Sequence, residues 1–117
     1  MGKKMCILAF IGFSLCVSSE YFIDITPHNE ANQYEMKLND SVTFKVSGYA
    51  QEGDSVSNAA VEDKIWWEFD KTLLEKVSSD KTSLTLKAIK EGIAELCATT
   101  LIKNNHCQKK INISIIK

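Results

Sequence analysis

Apolar and polar residues alternate along most of this 117-residue chain. A period of two is the mark of strands with one buried face. "YFIDI", residues 21–25, reads as a first strand, stopped by Thr26-Pro27. "QYEMKL" sets Tyr34, Met36 and Leu38 on one face, and "SVTFKV" does the same with Val42, Phe44 and Val46. Residues 47–63 are polar and aperiodic and are predicted to be a long loop, the kind of segment that often carries function. "KIWWEF", "LLEKV" and "TSLTLKAI" follow as strands, the last with Leu84, Leu86 and Ala88 on one side. "DKTLLEKVSSD" also fits a helical spacing, but it is short and polar at both ends. Gly92 turns the chain into "IAELCAT", where Ala94, Leu96 and Ala98 alternate; "KNN" at 103–105 is a turn signal; "KKINISII" points Ile111, Ile113 and Ile115 one way. Seven to eight strands separated by such turn signals predict an all-β, antiparallel sandwich or barrel.

Charge decides the parity of "IWWEF". If Ile65, Trp67 and Phe69 face inward, Trp66 and Glu68 face out; the reverse would strand the Glu68 carboxylate in the core. Trp67 is therefore the predicted core anchor between two sheets. The expected inner residues are Phe44, Val46, Ile65, Trp67, Leu74, Val77, Leu84, Leu86, Ala94, Leu96, Ile111 and Ile113. Trp66 becomes the leading candidate for a surface contact, with Tyr49 second, at the start of the long loop. The plainer alternatives are that a loop or sheet edge covers Trp66 and that Tyr49 packs its loop onto the end of the sandwich.

The first 19 residues stand apart. Lys3 and Lys4 precede an apolar run over residues 5–17, and Val17 and Ser19 are small, as at a signal-peptidase site. This is the pattern of a secretory signal peptide over residues 1–19, and residues 20–117 form one domain. The run is too short to cross a hydrocarbon layer of roughly 30 Å comfortably, so the mature chain is expected to have no membrane span. Of the chain's 14 Lys and Arg, two leave with the leader, so the mature part sets 12 against 15 Asp and Glu, a net charge of −3. No long basic run is present, which argues against nucleic acid as a partner. Cys97 and Cys107 remain as an even pair in an exported protein, the natural reading of which is a disulfide. Pairing them straight across their hairpin conflicts with an apolar register such as Ala94 opposite Ile111. A β-bulge near Cys107, or a bond just inside the loop, is expected to reconcile the two. Two cysteines and His106 make a poor zinc site. Glu52, Asp54, Glu62 and Asp63 lack the spacing of a calcium loop, so neither metal nor cofactor is expected. No nucleophile, base and orienting group fall together, so the chain is not expected to be an enzyme. Asn39-Asp-Ser41 and Asn112-Ile-Ser114 match the glycosylation acceptor, which matters only in a host that glycosylates.

Tryptophan 67 with Leu74 and Val77 beyond it, the alternating strand that follows, and Gly92 opening "GIAELCAT" together resemble the bacterial immunoglobulin-like domain of group 2. "ITP" at 25–27 and "MKLNDSVTFKV" at 36–46 look like that family's first strands. The resemblance covers nearly the whole mature chain. It implies an immunoglobulin-like antiparallel β-sandwich and a role like that of the family's modules, which occur in surface adhesins. The expected function is thus a secreted or cell-surface, non-catalytic binding module, extracellular or periplasmic, recognising a protein or a glycan. A second likeness, of architecture alone, is to chagasin-type inhibitors of papain-like cysteine proteases, which present three loops from one end of a similar sandwich. The corresponding segments here are 47–63, 78–82 and 100–106, and they lack that family's loop motifs.

Overall fold

In the computed structural model, which describes residues 20–61 and 64–117, the alternating segments form nine strands and no helix. They are β1 (Glu20–Thr26), β2 (Gln33–Lys37), β3 (Ser41–Glu52), β4 (Ser55–Ala59), β5 (Trp66–Phe69), β6 (Leu74–Ser79), β7 (Ser83–Ala88), β8 (Gly92–Ile102) and β9 (Asn105–Ile116). The predicted leader lies outside the described residues.

One sheet runs β1-β3-β7-β6, with β4 beside the far half of β3; the other runs β2-β9-β8-β5. The first layer matches the ABED sheet of a constant-type immunoglobulin domain, and β5, β8 and β9 match its CFG sheet. All pairs are antiparallel except β2 with β9, which run parallel. The chain leaves the first sheet after β1, through a cis Thr26-Pro27 peptide, and enters the second as β2. The apolar faces meet between the layers, where Ile25, Phe44, Leu74, Leu84, Leu86, Leu96, Ile102, Ile111 and Ile113 are fully buried. Tyr34 meets the Phe44 ring edge to face at a centroid distance of 5.6 Å. Trp67 lies opposite buried Ala98 and packs on this core, as its parity predicts, although it is only half-buried.

The expected loop at 47–63 is mostly strand. β3 continues to Glu52, turns through Gly53 and Asp54, and β4 returns in register from Ser55 to Ala59. Gly53 has φ 58° and stands first in a two-residue turn, the position at which such hairpins favour glycine. Alternation could not reveal β4, because it buries almost nothing: its residues are exposed except Ala59, and backbone pairing to β3 holds it. Gly48 faces this junction, and a Cβ there would stand 2.5 Å from the Ala59 carbonyl oxygen and 2.9 Å from Ile102 Cδ1.

Two further expectations are corrected. Val77 is 56% exposed, not inward. The β6–β7 register shifts between Lys76 and Ser78, so Val77 is the extra residue of a bulge and turns away from the core. The β8–β9 hairpin contains no bulge. It pairs continuously from Ile102–Asn105 to Gly92–Ile115, which places Ala94 opposite Ile113 and Leu96 opposite Ile111. Its two-residue turn, Lys103 and Asn104, has φ of 47° and 67°, the paired left-handed conformation that suits the twist of a hairpin.

A polar clasp ties the sheets where the chain changes layers. His28 Nε2 lies 2.7 Å from Asp24 Oδ1 of β1, and Nδ1 faces the Asn29 carbonyl. Lys109 of β9 donates to Asn32 Oδ1 at 2.9 Å and lies 3.6 Å from Asp24. When protonated, the imidazole donates to both oxygens, so the Asn29 carbonyl and then the Asp24 carboxylate raise the His28 pKa above 6.5.

Removing the ring in Phe44→Ala is expected to lower unfolding free energy by about 3–5 kcal/mol in urea titrations, whereas Val77→Ala shifts it by no more than about 0.5 kcal/mol. Because the folded state holds the His28 proton more tightly, the clasp's contribution is complete below about pH 6.5 and is lost as pH rises through the raised value. Stability measured across that interval is expected to fall in the wild type and to stay flatter in His28→Ala; parallel curves would refute the clasp.

Candidate functional site

Both sandwich layers end in an edge strand on the same side, β6 in one and β5 in the other. Leu74 points inward opposite Ala88, and Lys76 follows it on the same face, opposite buried Leu86; past the bulge, Ser79 sits opposite buried Leu84. The inner face of β6 is thus apolar for one residue and polar afterwards. A lysine ammonium cannot be sealed in a dry interior without a partner, so the layers do not close along this margin. Short edge strands and inward-pointing charges are also how sheets resist edge-to-edge pairing.

The open margin is a cleft of ≈ 840 Å³, within the size range of ligand-binding clefts. Ile65, Trp67, Phe69, Leu74 and Leu84 form its floor. Trp66, 54% exposed, stands at its lip on the outward side of β5. Lys64, Lys71, Lys76 and Lys81 surround the floor together with Glu75 and Asp80, so the rim is net positive in a chain whose described part is net negative. The Asp80 carboxylate is occupied in its own turn: the Ser83 hydroxyl, 2.7 Å away, and the Thr82 and Ser83 amides hold its pKa below the usual value. Asp70 does the same at the other end of β6, where the Thr72 hydroxyl and amide lower its pKa.

The two predicted contact residues are not brought together. Tyr49 lies on the outer face of the other sheet, half-buried, stacked on Phe22 with ring centroids 5.2 Å apart. It packs on β1 across the outer face of its sheet, not onto the end of the sandwich. Trp66 is exposed and lines the cleft.

The expected disulfide is corrected. Cys97 and Cys107 are both free and buried. Cys97 pairs with Lys110 and Cys107 with Thr100. Along β9, Cys107 is three residues from the partner of Cys97, about 10 Å at strand rise, beyond the reach of a disulfide. They also occupy opposite faces. Cys97 lies on the outer face between Glu68 and Lys110, whereas Cys107 belongs to the core and faces the Tyr21 carbonyl at 3.5 Å. Burial pushes the Cys107 thiol pKa up, which keeps it unreactive.

The lysines were missed from the sequence, yet one signal for them existed. Leu74 and Val77 are an odd number of residues apart, so a regular strand cannot turn both inward. Keeping Leu74 inside puts Lys76 on the inner face. Comparison with known protein families and with curated proteins gave no match. Among the described residues no helix is long and apolar enough to cross a membrane.

Alkylation in denaturant without reductant is expected to label both Cys97 and Cys107 fully, and the native protein slowly. Protection of the pair until reductant is added would restore the disulfide.

Proposed function

We propose that this chain is a secreted or cell-surface, non-catalytic binding module whose contact site is the cleft between β5 and β6, with Trp66 as its aromatic anchor. The observation that carries the reading is the conjunction of an apolar floor, a half-exposed tryptophan and a net positive rim at a margin the sandwich leaves open. Aromatic residues beside a desolvated pocket are the usual centres of binding energy. Export rests on the leader pattern of residues 1–19, and the partner is a protein or a glycan. The likeness to group 2 bacterial immunoglobulin-like modules fits this role and the strand order.

The geometry favours the cleft over a three-loop wedge of the protease-inhibitor kind. The β6–β7 turn sits level with Val46, whose amide donates to Thr82 O at 2.8 Å. The β3–β4 tip begins at Glu52, six residues further along β3, about 20 Å at strand rise. Loops at such different heights do not form one wedge.

A screen against glycans and host-surface proteins tests the reading. Trp66→Ala is expected to weaken the captured interaction about tenfold or more, with the folded spectrum retained and papain uninhibited at micromolar protein. Equal capture by wild type and variant would reject the cleft as the contact.

A further inference from the structure

We propose that the cleft receives an extended acidic peptide segment of a partner protein, which adds as a strand to the free edge of β5. This inference rests on the binding reading of the same cleft and names its partner.

The first argument is the vacant place beside β5. Among the described strands β5 pairs only with β8, so one side of its backbone has no strand neighbour. In variable-type immunoglobulin domains the equivalent sheet continues past this strand. Here the chain turns at once from β5 into β6, with the Leu74 amide donating to Asp70 O at 3.0 Å, and no described strand fills that position. An edge with unpaired backbone groups above a pocket is the arrangement that captures extended peptides, main chain giving affinity and alternate side chains giving selectivity. Trp67 and Phe69 face the pocket from β5 at period two, and both are only half-buried. Apolar side chains of an added strand, entering the cleft at the same period, would cover them.

Charge placement is the second argument. Lys64 precedes β5 and Lys81 lies in the β6–β7 turn, at one end of the cleft; Lys71 lies in the β5–β6 turn at the other; Lys76 stands between. Among the described residues Lys71, Lys76 and Lys81 form no ion pair. Long lysine stems reach out of an apolar floor to place their ammonium groups at its rim. A single anionic headgroup would call for charge gathered at one point. Lysines spread along the whole length instead match carboxylates repeated along an extended chain. A second copy of this molecule is the wrong occupant, because its edge would set one lysine-lined rim against another.

Both tryptophans of the chain line the cleft, so intrinsic fluorescence reports its occupation directly. The probe is a labelled peptide alternating Glu with Val, compared with its Lys-for-Glu counterpart and with a version N-methylated at alternate residues. The acidic peptide is expected to bind, to shift tryptophan emission and to weaken with added salt. The basic peptide is expected not to bind, and N-methylation to weaken binding about tenfold or more. The double variant Lys76→Glu, Lys81→Glu is expected to lose binding with its folded spectrum intact. Lys37→Glu, on the opposite margin, is expected to bind as the wild type does. Equal binding of acidic and basic peptides, or of methylated and unmethylated ones, would overturn the proposal. So would equal displacement by dodecanoate, or dimerisation through the same lysines. If no peptide binds while Trp66→Ala still impairs capture in the screen, the strand-addition proposal falls and the binding module stands; if both experiments fail, both readings fall.

Discussion

A β-sandwich closes only where both inner faces are apolar, and in this domain that condition ends one residue into β6. Leu74 is buried completely and anchors the strand, but the next inward position is Lys76 and the one after it is Ser79. The ammonium group keeps its water, so the layers stay parted along the β5–β6 margin. The partial exposure of Trp67 and Phe69 and the cleft volume follow from that one interruption. Elsewhere the layers are sealed by an uninterrupted face: Leu84, Leu86 and Ala88 from β7 and Ala94, Leu96 and Ala98 from β8 are all buried.

The rest of the molecule holds that open margin steady. β8 and β9 pair over their full length without a bulge and form the spine of one sheet. β2 runs parallel to β9 and keeps the chain on the second layer after it leaves β1, and Asp24, His28 and Lys109 bind the crossing point with charge-assisted contacts. The openness of the site is a matter of which side chains face inward.

Legibility differed between the core and the site. Period two revealed most of the strands, because those bury a face and a buried face must be apolar; β6, which buries only Leu74, shows no such period. The parity argument on Glu68 correctly placed Trp67 inside and Trp66 outside. Strand β4 escaped because it is held by backbone hydrogen bonds, which any sequence can make. Val77 was misplaced because it was set inward together with Leu74, three residues away, which strand alternation does not allow. The cysteines were misjudged because an even pair says nothing about register: the Lys103-Asn104 turn set Cys97 and Cys107 on opposite faces of one sheet.

Alternation along the chain was sufficient to establish an all-β sandwich, its main core residues and the outward turn of Trp66, since these depend on neighbours one and two residues apart. The cleft depends on residues far apart in sequence. Lys64, Lys76 and Lys81 become a common rim only when β5 and β6 end up as the margins of different sheets. That outcome is settled by which strands pair across the whole domain, and no local pattern records it.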